Sequence, residues 1–226
     1  MKFRIGYAAW IVGVVQFFVI HGITESAWSR PYSWAQNNIS DLGNALCALQ
    51  ATPEPRYVCS PEHGLMNGSF IALGVLLVVG AALTGDALWR KGPAAALARL
   101  LLAGAGAGFV LAGLAPADVD ENQHVLGALL IMAGGNIGLV LAGSGLAGRV
   151  RPPLRRATAL LGITAIAALG LFLSGHYLGL GMGGMERVAA FPLLLWALAA
   201  GTLGLVRRPE DRREEPGVSA PRWRTA

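Results

Sequence analysis

Four histidines, His21, His63, His124 and His176, are the only imidazoles in the chain, and each lies where an apolar stretch meets polar sequence. The same four places hold Glu25, Asp41, Glu62, Asp118, Asp120, Glu121 and Glu186, together with Asn38, Ser40, Asn67, Tyr177 and Arg187. Three chemistries fit this set. His63, His124 and His176 with Asp118 or Asp41 are residue types that hold a divalent metal such as zinc, which would acidify a bound water into a nucleophile. A His–carboxylate pair works without metal as a general base, with Arg187 or Asn38 stabilising an anion. The run Ala117-Asp-Val-Asp-Glu121 suits a divalent cation that in turn holds a phosphate group. No compact H-E-x-x-H pattern selects the first.

Spacing places some of these residues together. His21 and Glu25 are four apart, as are His63 and Asn67, while Ser174 and Tyr177 are three apart, so each pair shares a face if its segment is helical. A carboxylate at Glu25 would then hold the His21 ring in one tautomer. Plainer roles are open to others: Asp118, Asp120 and Glu121 suit a turn or a helix cap, and Glu186 suits the positive end of a helix. Trp28, Tyr32, Trp34 and Tyr57 read as an interfacial aromatic belt.

The elements that carry these groups follow from composition. Of 226 residues, 54% are hydrophobic and 14% charged, and mean hydropathy is +0.52. Soluble domains carry about 25% charge, so lipid is the implied solvent. Six apolar stretches, at 5–22, 64–84, 97–116, 124–146, 157–178 and 187–206, are each long enough to cross a bilayer. Lipid offers the backbone no hydrogen-bond partner, so each must be a helix. The expected fold is all-α, a polytopic six-helix bundle over residues 1–206, followed by a basic, disordered tail at 207–226. Lys2 and Arg4 before the first stretch resemble a signal peptide, but no small-residue cleavage site follows, so a retained helix is expected.

Of the 18 Lys and Arg residues, 15 fall at one set of helix ends or in the tail; the exceptions are Arg30, Arg56 and Arg187. That bias places both termini in the cytoplasm and the histidines on the outer side of a plasma-membrane protein. Attraction to anionic lipid accounts for the basic pI without a nucleic-acid partner. The long outer connection, 23–63, reads as a lid with one or two short helices. It contains the only two cysteines, Cys47 and Cys59, expected to form a disulfide in an oxidising compartment. Gly104, Gly106, Gly108 and Gly113, with Gly134, Gly135 and Gly138, suit close helix packing, and mid-span Asn136 suits a hydrogen bond between helices.

With these residues in view, the chain resembles a family of small prokaryotic membrane proteins known as domain of unknown function 998. The resemblance rests on Tyr32-Ser33, Asn38-Ile-Ser-Asp-Leu-Gly43, Cys59-Ser-Pro-Glu-His63, Asn67-Gly-Ser-Phe70, Pro116 with Asp118, His124, Gly127-Ala128 and Gly183-Gly-Met-Glu-Arg187. It spans residues 7–206 and implies a six-helix bundle without implying an activity.

Together these readings point to an outward-facing polar pocket. One expectation is an intramembrane hydrolase or transferase acting on a lipid or isoprenoid. There His63, His124, His176, Asp41, Asp118 and Arg187 are catalytic, and Asn38, Ser40, Asn67, Tyr177, Glu186, His21 and Glu25 bind substrate. The other is a non-catalytic lipid or small-molecule receptor, or an accessory subunit, using the same pocket. The orientation has a direct test: a cysteine replacing Lys91 is expected to react with impermeant reagent only from the cytoplasmic side, and labelling from outside would reverse the topology.

Overall fold

The computed structural model describes residues 1–51 and 55–206; the expected tail, 207–226, lies outside the described residues. Six helices are long and apolar enough to cross a membrane: Lys2–Ser26, His63–Leu83, Pro93–Leu114, Glu121–Gly143, Pro152–Leu173 and Gly181–Val206. All six expected spans are present. Their ends differ where local chemistry intervenes. Pro93 and Pro152 open their helices in the first turn, where a missing N–H costs nothing. Asp120 caps the fourth helix by accepting from Gln123 N at 3.1 Å. The fifth helix stops at Leu173, so Ser174 and Tyr177 do not share a helical face as expected.

Each helix packs on its neighbours in sequence, and the first also packs on the sixth, which closes the ring. The six-helix unit has two distinct ends. At one, Arg90 N donates to Ala147 O and Arg149 N to Leu88 O, both at 2.7 Å, joining the second and fourth connections. At the other, the Asp118 carboxylate accepts from Ala45 N at 3.1 Å and Leu46 N at 2.7 Å, joining the first connection to the third. Most of the described basic residues sit at the first end and all four histidines at the second.

Lipid-exposed helices gain little from hydrophobic burial against each other, so close backbone contact and buried polar bonds hold the ring. Gly74 meets Gly106, Gly108 meets Gly127, Gly113 meets the Asn67 carbonyl, and Gly135 packs under Leu193. Gly104 and Gly134 face open space, so they lie outside the packing expected of them. Asn136 donates to Met132 O at 2.7 Å and across to Ala189 O of the sixth helix at 2.9 Å, the interhelical bond its position suggested. The helix loosens into a π-turn over Leu130–Gly135 just before it. Trp10, Phe17, Leu73 and Leu193 fill the centre.

The first connection is folded, with one short 3-10 turn, Ser40–Gly43, and a two-stranded antiparallel hairpin that pairs Ala48–Gln50 with Arg56–Val58. The Cys47–Cys59 disulfide closes that hairpin at its base, as expected.

Gly106→Leu is expected to lower stability by about 2 kcal/mol, because a side chain there must displace the Gly74 carbonyl. Gly104→Leu, with nothing within 4 Å, should leave it nearly unchanged. Thermal unfolding in detergent reads both.

Candidate functional site

The polar cluster forms where the first connection docks on the start of the sixth helix. Residues 181–184 are Gly-Met-Gly-Gly, and small size is required there: a Cβ on Gly183 would strike the Asn37 carbonyl, and Gly181, at φ +73°, lies against Ala35. Ala35 O can therefore accept from Gly183 N at 2.8 Å, satisfying one of the free N–H groups of the helix start. Two turns of side chain complete the clasp. Glu186 accepts from Ile39 N at 2.5 Å. Arg187 donates through Nη1 to Trp34 O at 3.0 Å, Asn37 O at 2.8 Å and Gly183 O at 2.8 Å, and through Nη2 to the Tyr32 hydroxyl at 2.5 Å. Its guanidinium carbon lies 4.8 Å from the Trp34 ring and 5.5 Å from the Tyr32 ring.

A second ion pair stiffens the connection from within. Asp41 accepts from Arg56 Nε and Nη2, both at 2.8 Å, from Asn37 Nδ2 at 3.2 Å and from Asn38 N at 3.0 Å. A forked guanidinium on a buried carboxylate is among the stronger polar contacts. Arg187 differs: among the described residues no carboxylate lies within ion-pair distance of it. It is 5% exposed, and its Nε has no hydrogen-bond partner.

His21 comes to the same place from the first helix. Its ring lies 6.0 Å from that of Tyr32 and 5.3 Å from that of Trp34. Nδ1 stands 3.6 Å from Glu25 Oε2 one turn on, and Glu25 also accepts from Trp34 Nε1 at 3.0 Å. His21 Nε2, Thr24 Oγ1 and Trp28 Nε1 are buried without a partner; His21 and Thr24 share a face of the first helix by their spacing, and Trp28 follows its end. Trp28 stacks edge-on against Tyr32 at 4.9 Å. Burial pushes the Tyr32 phenol well above its ordinary range, and the adjacent Arg187 charge opposes that only in part. Tyr32 therefore stays protonated, a hydroxyl that accepts from Arg187.

The structure thus brings together His21, Glu25, Asn38, Asp41, Glu186 and Arg187 of the expected site, and leaves the others apart. His63 Nδ1 sits 3.0 Å from Ser60 O and His124 Nδ1 2.9 Å from Ala115 O, each held by a carbonyl at its own helix start. His176 is exposed beside Ser174. Asp118 is engaged with the Ala45 and Leu46 amides. Asn67 ties Gly43 O at 2.9 Å, Ser40 opens the 3-10 turn, and Tyr177 packs on Phe172. The expected metal set does not assemble: among the described residues no three His, Cys, Asp or Glu side chains form a group suited to a metal ion. Each imidazole sits at the same end of the bundle beside a different helix, and His63 and His124 each turn back to a carbonyl beside their own helix start while His176 stays exposed.

The residues that sequence reasoning undervalued are Tyr32, Trp34 and Trp28, read as a membrane belt, and Thr24 and Arg56. One signal did point to Arg56: it is among the three basic residues off the basic end. All three find a partner at the outer end, Arg30 over the Tyr57 ring at 4.5 Å, Arg56 on Asp41 and Arg187 in the clasp.

A family model described as protein of unknown function (DUF998) matches residues 11–203. The chain belongs to the DUF998 family. The matched region begins within the first helix, ends within the sixth and contains every residue of the clasp. Curated proteins and solved structures gave no match to this DUF998 chain.

Removing the Asp41 carboxylate takes the forked acceptor away from Arg56 and leaves Asn37 Nδ2 and Asn38 N without theirs. Asp41→Ala in this DUF998 protein is expected to cost about 3 kcal/mol, whereas His176→Ala, at an exposed site, should cost under about 0.5 kcal/mol. Chemical or thermal unfolding in detergent compares them.

Proposed function

We propose that this protein is a membrane-embedded binding protein that recognises the anionic group, carboxylate or phosphate, of a lipid or amphipathic small molecule at Arg187 and His21. The observation that carries this reading is the buried Arg187 guanidinium. It has carbonyl and hydroxyl acceptors but no carboxylate within ion-pair distance among the described residues, and its Nε is unpartnered. A buried cation with no ion-pair partner is costly even when carbonyls and a hydroxyl accept from it, and an incoming anion would offset that cost. The neighbouring orphan atoms suit the same guest: Arg187 Nε and Trp28 Nε1 can only donate, Thr24 Oγ1 can donate, and His21 Nε2 donates once protonated. Trp34, 47% exposed, lies over both His21 and Arg187, so its displacement is the route in. The distribution of basic residues supports an orientation with this end outside the cytoplasm of a plasma-membrane protein.

A second reading, hydrolysis or group transfer on a lipid or isoprenoid substrate, is favoured by one feature. Glu25 stands beside Nδ1 of His21 and leaves Nε2 facing inward, the arrangement of an oriented general base. The expected roles of His63, His124 and His176 do not enter it, because each is held apart.

Binding of dodecyl phosphate and of laurate, with dodecanol as the neutral control, tests the proposal through intrinsic tryptophan fluorescence. The two anions are expected to bind and dodecanol not. Arg187→Gln should weaken binding at least about tenfold, the worth of one charge-assisted bond. Trp28→Phe and Thr24→Val, which spare the clasp, should weaken it by smaller factors. Equal binding of dodecanol would refute the anion site. Steady release of cleaved product, abolished by His21→Ala, would favour the second reading.

A further inference from the structure

The basic end carries a separate feature, on the outer wall of the ring between the second and third helices. A groove of about 300 Å³ runs there, lined by Val78, Ala81, Ala82, Ala96, Leu100 and Ala103, with Arg99 at its edge. Its floor is apolar and its flanks face outward: Leu100 is 68% exposed and Val78 37%. On a membrane-spanning helix such residues face hydrocarbon. Arg99 is six residues into its helix, about 9 Å along the axis, a depth at which a charge needs a specific reason to be kept. Part of that reason is structural. Nε donates to Ala81 O at 3.1 Å and Nη2 to Ala82 O at 3.0 Å, closing carbonyls that the end of the second helix leaves free. Nη1 has no partner among the described residues. The connection at this end adds Arg90 and Lys91, both exposed.

We propose that this groove is a site for one anionic phospholipid, its acyl chain lying along the alanine floor and its phosphate meeting Arg99 Nη1. Charge and shape agree on this occupant. Shallow alanines admit a chain where bulkier residues would not, and a basic pocket between helices near a positively biased face is the setting in which acidic headgroups bind. The proposal is independent of the Arg187 site, which lies at the opposite end of the bundle.

Full-length protein in neutral detergent, offered phosphatidylglycerol or phosphatidylcholine of the same chains, can be examined by native mass spectrometry. One phosphatidylglycerol is expected to be retained in preference to phosphatidylcholine. Arg99→Gln should reduce that retention by about fivefold, the equivalent of one headgroup charge contact. Ala96→Phe fills the groove from an exposed position while sparing the Arg99 bonds, and it should reduce retention as strongly. His176→Ala, exposed at the other end and outside both sites, should leave it unchanged. Equal retention of the two lipids, undiminished retention in Ala96→Phe, or competition by inorganic phosphate as effective as the lipid would each overturn the proposal. So would a shift in oligomeric state in Ala96→Phe that accounts for the loss.

Discussion

A charged guanidinium buried at the edge of a membrane bundle must have acceptors, and the histidine-bearing end of this protein is arranged around that requirement. Arg187 draws the Trp34, Asn37 and Gly183 carbonyls and the Tyr32 hydroxyl onto itself. In doing so it brings residues 32–39 down onto the sixth helix. Glu186, one position earlier, takes the Ile39 amide, so adjacent side chains of opposite charge grip the donors and the acceptors of the same stretch of backbone. The glycines at 181 and 183 are the steric counterpart of this arrangement, since bonds of that length need the two backbones nearly in contact.

The clasp depends in turn on order within the connection. Asp41 gathers Arg56, Asn37 and the Asn38 amide. The disulfide and the short hairpin hold Arg56 at the right distance in a segment with little core of its own. Asp118 and Asn67 fasten the remainder to the third connection and the second helix. These are structural duties, and they occupy groups that would otherwise be candidates for chemistry. Of the buried side-chain atoms left without a partner among the described residues, His21 Nε2, Thr24 Oγ1, Trp28 Nε1 and Arg187 Nε belong to the group around Tyr32, and the rest are the amide oxygens of Asn38, Asn44 and Asn136.

The opposite end is built differently. Its connections are short and meet through backbone bonds at Trp89 and Gly148, and the Trp89 indole donates to Thr84 Oγ1 at 3.0 Å. Cations there face outward or cap helix ends, as Arg99 does. Between the two ends, the ring is held by glycine contacts and by the Asn136 bond, which a hydrocarbon surrounding makes more necessary than a larger apolar core would be. One protein thus carries two kinds of polar organisation, a closed internal cluster at one membrane boundary and a solvent-facing basic rim at the other.

How much of this was legible beforehand divides along physical lines. Span number, helical state, the Cys47–Cys59 pairing and the bond made by Asn136 depend on local apolar length, backbone satisfaction and loop position, all of which one chain states directly. Helix ends were less legible: a cap was among the roles open to Asp120, but the stop at Leu173 depends on a few atoms. The polar residues at the outer end were visible as a population, and Arg187, Glu186, Asp41, His21 and Glu25 were among those named. Which of them meet was decided only by the tertiary structure. Residues 32–39 of the first connection fold onto the first and sixth helices, while Gly43 is tied to Asn67 of the second, so His21 is enclosed and His63, His124 and His176 stay at separate rims. Sequence spacing reports neighbours along one helix; it holds no information on which helix end a forty-residue connection will cover, because that depends on contacts between segments far apart in the chain.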